Sequence, residues 1–362
     1  MKHLFGRIVP GTHRAFESIL RVLCPFALTL LATASFGQSQ PPSAEIDNGL
    51  IHARLYLPDT TQGFYRGTRF DWSGVIGSLT YAGHSFYDPW FTRTDPNVRD
   101  FVYEGSDIVA GPCSAITGPA EEFTSEGGAL GYGAAAVGGT FVKIGVGVLR
   151  KPDTAKYSGF RLYDLVDAGK WTVKAKPNSV EFTQRVLDPA SGYGYIYRKI
   201  VRLIPGAAQM SIEHSLQSIG PRPIETSVYD HNFLVLDHQP TGPDFTVTLP
   251  FAIAPTKPID ADFGAVEGKR ILYRKQLQDK DRLTVHIAGF GNTAKDYDLT
   301  VDNAHAGAGV RITGDHPLES EELWSIRSVL AMEPYIHLSI PSGKTIHWRY
   351  LYSYHFTRQR KP

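Results

Sequence analysis

Four short stretches of the 362-residue sequence carry side chains suited to acid–base or binding chemistry. In Thr226-Ser-Val-Tyr-Asp-His-Asn-Phe-Leu234, polar groups are flanked by apolar residues. Alternation puts Tyr229 and His231 on one face and Asp230 and Asn232 on the other. A histidine titrating near neutrality serves as a general acid or base; the ordinary alternative is a half-buried imidazole satisfied by a neighbouring strand. In Ala331-Met-Glu-Pro-Tyr-Ile-His-Leu338, Glu333 sits among apolar residues. A carboxylate there must find partners or shift its pKa upward, and a raised carboxylate suits proton removal from a sugar hydroxyl. A salt bridge at a strand end is the alternative. Phe64-Tyr-Arg-Gly-Thr-Arg-Phe-Asp-Trp-Ser-Gly74 offers Arg66 and Arg69 as forked donors to hydroxyl pairs, with aromatic faces for a sugar ring. An Arg–Asp brace at a bend would use the same residues. Gly118-Pro-Ala-Glu-Glu-Phe123 presents Glu122 in an acidic turn, and Lys143 and Arg150 extend the basic set to a patch with Arg66 and Arg69.

The elements that must position these groups are strands. From about residue 48 the sequence runs in alternating or apolar stretches broken by Gly, Pro, Asn and Asp, among them 141–149, 180–186, 195–203, 210–216 and 345–354. Helical signal is scarce. Residues 319–330 fit either a helix or a strand. More than ten strands with almost no helix predict an all-β fold, a large antiparallel sandwich with few short helices. No linker or fixed-period repeat divides 48–356, which reads as one domain. Residues 357–362 form a basic tail.

The front of the chain reads separately. Lys2, Arg7, Arg14 and Arg21 precede an apolar run, 23–34, too short to span a bilayer, and Ala32-Thr-Ala34 offers a cleavage site. Residues 1–37 are therefore expected to be a signal peptide and 38–47 a flexible N-terminus, with the mature chain periplasmic or secreted and free of the membrane. Without residues 1–37 the chain keeps 33 basic and 35 acidic residues, a balance that argues against a nucleic-acid partner and suits a neutral one. Cys113 is then a lone cysteine, read as a small buried residue. Dinucleotide, P-loop, HExxH, CxxC, EF-hand and G-x-S-x-G signatures are absent from the sequence, and Asp302, His305, Asp315 and His316 read as polar loop residues rather than metal ligands.

Together these stretches resemble the galactose mutarotase (aldose 1-epimerase) superfamily. Arg66-Gly-Thr-Arg69 with Gly77–Tyr87 resembles its early arginine segment, Tyr229–Phe233 its histidine motif, and Glu333–Thr345 followed by Trp348, Tyr350 and Tyr352 its C-terminal glutamate motif. The resemblance spans roughly residues 48–356. It implies a β-supersandwich and an anomer-interconverting enzyme acting on a mono- or oligosaccharide without metal or cofactor. His231, protonated, would donate to the ring oxygen, Glu333 would take the anomeric proton, and Arg69, Tyr229, Glu122, Arg66 and Lys143 would bind substrate. One departure is a second histidine that other members carry in Asn-x-Leu-His-Gly-Gly; the corresponding region here, Gly118–Phe123, has none, and His84 does not replace it. A polysaccharide lyase acting on uronates and a non-catalytic carbohydrate-binding domain stay open beside the epimerase.

Overall fold

Period-two alternation governs the strands that carry the candidate residues, and it dictates that neighbours in sequence leave a strand on opposite faces. The computed structural model of the protein describes residues 40–356. The expected signal segment lies outside the described residues, as do the expected basic tail and residues 38–39 of the expected flexible N-terminus.

Two antiparallel sheets dominate. A ten-stranded sheet has Tyr193–Leu203, Gln209–Ser218 and Thr345–Phe356 side by side near its middle. A six-stranded sheet runs in the order Ala254–Pro255, Arg282–Ala288, Ser320–Ile326, Val329–Ile340, Ile224–Phe233, Gly118–Thr124. Three smaller sheets complete the architecture, one of which contains a short parallel pairing of Arg93–Thr94 with Asp107–Ala110. The described helices are two single 3₁₀ turns, Leu236–His238 and Ala294–Asp296. The fold is all-β and sandwich-like, as the alternation predicts.

The main core lies between the inner faces. Val228, Met332, Ile336 and Leu323 of the smaller sheet join Val201, Ile212, Tyr350 and Tyr352 of the larger one. A second, aromatic core forms on the outer face of the smaller sheet, where segments between residues 64 and 163 fold back over it. Trp90 stacks on Phe233 at 5.7 Å, and Phe70, Tyr65, Phe141 and Tyr163 pack around them. This covering layer leaves part of the outer face open as a cleft.

Two expectations change. Residues 43–47 are a strand, Ser43–Asp47, paired with Ile51–Tyr56 and anchored by the buried Ile46, so the flexible reading fails from Ser43 onward. The ambiguous segment is the strand Ser320–Ile326, continuing past a turn into Val329–Ile340. Glu321, Leu323 and Ser325 face inward while Glu322, Trp324 and Ile326 face outward, a division that only period two produces.

Candidate active site

The register of five neighbouring strands writes the site across the sheet. His231 lies opposite Ala120 on one side. On the other, the pairing of Tyr229 with Tyr335 and of Leu234 with Leu330 brings His231 opposite Glu333. Glu333 pairs in turn with Glu322, and Glu322 with His286. One outer-face row therefore reads Ala120, His231, Glu333, Glu322, His286. The next row holds Glu122, Tyr229 and Tyr335. His231 and Glu333, a hundred residues apart in sequence, meet because antiparallel register leaves them no other place. Their Nε2 and Oε1 atoms are 3.3 Å apart, and both residues are buried.

The pair forms one wall of a cleft of about 180 Å³ lined also by Arg69, Asp100, Ser114 and Glu322, with aromatic walls from Trp90, Phe101, Phe160, Phe233 and Trp324. The His231 ring stacks on Phe233 at 3.7 Å and meets Trp324 edge-on at 5.5 Å. Its Nδ1 has no hydrogen-bond partner. This dry, apolar setting opposes charge on the imidazole, and Arg69 adds to the effect, so the His231 pKa is driven well down. Burial likewise pushes the Glu333 carboxyl up to about 8, aided by the charges of Glu322 and Glu122 and opposed by Arg69 and a hydrogen bond from Tyr335. The resting pair at neutral pH thus carries one proton, on Glu333. The competent arrangement that the resemblance implies, protonated His231 beside ionised Glu333, is the other tautomer of the same pair, and burial disfavours it because it separates charge in an apolar wall.

Beside this pair stands a closed ionic cluster. Arg69 Nε donates to Glu122 Oε2 at 2.7 Å and its Nη2 to the Tyr229 hydroxyl at 2.9 Å, while Tyr229 donates to Glu122 at 2.6 Å. Lys143 reaches Glu122 from behind at 3.3 Å and donates to the Phe123 carbonyl at 2.6 Å. Burial raises the Glu122 pKa, but Arg69 and Lys143 outweigh it and the net shift is downward, so Glu122 is an anion with both oxygens engaged. Arg69 alone of this cluster lines the cleft, its guanidinium between the Phe70 and Phe160 rings at 4.4 and 4.6 Å.

The structure therefore brings His231, Glu333 and Arg69 to one cleft and sets Glu122, Tyr229 and Lys143 directly behind Arg69 as its support. Glu122, Tyr229 and Lys143 are corrected from substrate contacts to buried partners, because their polar atoms are bonded within the cluster and none of the three lines the cleft. Arg66 does not reach the site. It is exposed and donates to the Thr61 carbonyl at 2.7 Å, because position 66 falls on the solvent side of the bend that delivers Arg69. Arg150 donates to the Gly138 carbonyl at 2.8 Å, so the four-residue basic patch does not assemble. His84 binds Asp237 at 2.7 Å. Cys113 is buried, 3.9 Å from the Thr68 hydroxyl. Asp302 faces His355 and Asp315 faces His316, and among the described residues no group of three or more metal-ligating side chains converges. Sequence reasoning missed Asp100, Ser114, Glu322, Phe160 and the Trp90–Trp324 walls. Alternation within Ser320–Ile326 signals Glu322 and Trp324; Asp100, Ser114 and Phe160 lie outside the regular strands and show no such pattern.

No family model matches the sequence, and no curated protein is similar to it. Among solved structures, the chain is similar to the Slr1438 protein of Synechocystis sp. PCC 6803, at 12% identity over 88% of this chain and 97% of that chain, with a TM-score of 0.51. It is also similar to an aldose epimerase homologue from C. elegans, at 14% identity over 87% and 99% of the two chains and a TM-score of 0.49. A galactose mutarotase related enzyme from Lactobacillus acidophilus matches at 13% identity over 88% and 98%, with a TM-score of 0.48. The likeness to the Slr1438 protein is one of fold alone.

Proposed function

We propose that the protein is a carbohydrate-active enzyme of the aldose 1-epimerase type, opening and reclosing a sugar ring by acid–base catalysis. The observation that carries this reading is the His231–Glu333 pair, 3.3 Å apart in an aromatic-walled cleft and holding one proton between two groups of opposed pKa shift. Ring opening needs one proton delivered to the ring oxygen and one removed from the anomeric hydroxyl. A pair with one proton does both without net exchange with solvent. With the proton on Glu333 at rest, Glu333 gives it to the ring oxygen while His231 takes the anomeric proton, the reverse of the roles the resemblance implies; closure returns both protons, so the pair ends each half-reaction with one proton again. Arg69, fixed by Glu122 and Tyr229, donates to sugar oxygens, and Phe160, Phe233 and Trp324 offer faces to the ring.

The cleft favours a neutral sugar over a uronate in the reacting position. Arg69 is its sole lysine or arginine and is already matched by Glu122, while Asp100, Glu322 and Glu333 present carboxyls. That charge arrangement weighs against a lyase, which must neutralise a uronate carboxylate beside the reacting carbon. Export completes the proposal, resting on the basic lead and short apolar run of residues 1–37.

Glu333→Gln preserves shape and removes the titrating oxygen. Anomer-resolved NMR should show turnover of a responsive sugar reduced roughly 10²–10⁴-fold, the scale of one acid or base, with sugar binding retained. Turnover at the unmutated rate would falsify the reading.

A further inference from the structure

A second groove adjoins the cleft and differs from it in charge. Phe160 lines both. The groove, about 450 Å³, has Arg99, Lys156, Ser158 and Arg161 along it and no acidic residue in its lining. Arg161 is paired with Asp153 at 2.8 Å. Arg99 donates to the Ser158 hydroxyl at 2.9 Å, and among the described residues neither Arg99 nor Lys156 has an acidic partner. Arg99 and Lys156 thus face this groove without a carboxylate at ion-pair distance, Arg99 acting on Asp100 only at longer range, where the neighbouring cleft presents three carboxyls.

The wall between the two spaces is a loop held on both sides. Thr68, next to Arg69, donates to the Arg161 carbonyl at 3.1 Å, and the Ser158 amide donates to the Tyr163 hydroxyl at 3.0 Å. Gly159 lies so close to Glu122 that a Cβ there would stand 3.1 Å from its Oε1. The same few residues present Phe160 to Arg69 on one side and Lys156, Ser158 and Arg161 to the groove on the other. The groove therefore sits at a fixed distance from the reacting position.

We propose that this groove is a second sugar subsite that takes a uronate joined to the sugar held in the cleft. The proposal rests on the epimerase reading for the first position and extends it: the substrate is a reducing acidic disaccharide or longer oligosaccharide, neutral at its reducing unit and anionic at the next. The guanidinium fork of Arg99 matches a carboxylate in geometry, Lys156 adds a point charge, and the Phe160 ring lies where the two sugar units join.

The probes are a reducing disaccharide whose non-reducing unit is a hexuronate and its dihexose counterpart, in which a hydroxymethyl group replaces the carboxylate. Anomer-resolved NMR gives kcat/KM for each, and titration gives Kd. The unmutated protein should prefer the acidic probe by about tenfold, and the preference should shrink with added salt, as expected of exposed charges. In the double variant Arg99→Gln, Lys156→Gln the ratio of acidic to neutral should collapse toward one. Both side chains are exposed, so the variant should fold. Equal handling of the two probes by the unmutated protein, or a ratio that survives in the double variant, overturns the subsite. If neither disaccharide is turned over, the epimerase reading fails separately, and the ratio of the two Kd values still decides the groove by the same criterion.

Discussion

The two faces of the same pair of strands carry two buried charge clusters with opposite fates. Glu122, Tyr229 and His231 leave Gly118–Thr124 and Ile224–Phe233 on the outer face; their sequence neighbours Glu121 and Asp230 leave on the inner one. Inside, Glu121 is bound by Lys199 and accepts from His214 at 2.8 Å, and Lys199 also donates to the Ser73 carbonyl at 2.9 Å and lies 3.5 Å from Asp71. Burial pushes Asp230 well up, and the Glu121 charge adds to it; burial pushes Glu121 up as well, but Lys199 and His214 overcome it and hold Glu121 at about 2. Tyr352 donates to both Asp230 and Asn232. Charge, burial and shifted titration are at least as pronounced inside as outside. What the inner cluster lacks is an opening, since the cleft is lined from the outer face alone. Perturbed titration by itself therefore does not mark a site here; perturbed titration on the wall of a cleft does.

The largest expected effect separates the clusters by stability. Lys199→Met removes the cation shared by Glu121 and Asp71 in the core, leaving Glu121 only its hydrogen bond with His214, and should cost about 3–5 kcal/mol in urea denaturation. Arg69→Met also removes the cation of a buried pair, but Glu122 keeps Lys143 and Tyr229. Its cost should be about 2 kcal/mol, while sugar binding is lost. Equal destabilisation by the two would mean that the clusters do the same structural work.

The next effect is in pH. Two carboxyls, one on each face, are raised to about 8: Glu321 inside and Glu333 in the cleft, both by burial. A group bound more tightly to its proton in the folded state stabilises the fold below its unfolded pKa and loses that contribution as pH rises to the folded value. These two groups should therefore contribute a fall in stability between about pH 4.5 and pH 8, by about 1.4 kcal/mol per pH unit for each group at most, against the opposite slope that the depressed His231 and His214 contribute below about pH 6.5. Glu321→Gln should flatten that slope without touching the rate profile, and Glu333→Gln should flatten it and abolish the rate profile's carboxyl limb. A slope unaltered in both variants would remove the raised carboxyls from the account.

These contrasts also explain what the sequence made legible. Alternation alone separated Tyr229 and His231 from Asp230 and Asn232, because a strand offers only two faces. It could not say which face would be covered, since both are buried here. Glu333 was legible as a carboxyl in apolar surroundings, and its partner emerged from register. Lys143 looked like a ligand contact because it joins Arg66, Arg69 and Arg150 in a basic set, yet tertiary packing seats it behind the Glu122 carboxylate. Asp100 and Phe160 come from loops, where position follows from closure of the whole outer layer and no local pattern exists to read. Residues 43–47 were misjudged because the polar lead before them masks a short alternation that ends on Ile46.

The finest test lies within the outer row itself. Glu322 stands across from Glu333 and pairs on its other side with His286, at 2.5 Å. Burial is the main reason for the raised Glu333 pKa, and the Glu322 charge is a secondary one acting in the same direction, with Arg69 opposing. Glu322→Gln deletes the like charge and keeps the volume, so Glu333 should release its proton more easily and the carboxyl limb of the pH–rate profile should move down by a fraction of a pH unit. The shift stays small because desolvation, the larger cause, is untouched. The inner face supplies the control. Asp71 is raised to about 6, again mainly by burial, and lies on the far side of the sheet, so Asp71→Asn should move no limb of that profile even where it alters stability. An equal downward shift in both variants would show that the profile reports the protein's overall charge rather than the row of side chains across the cleft, and an upward shift in Glu322→Gln would remove Glu322 from the causes of the raised Glu333 pKa.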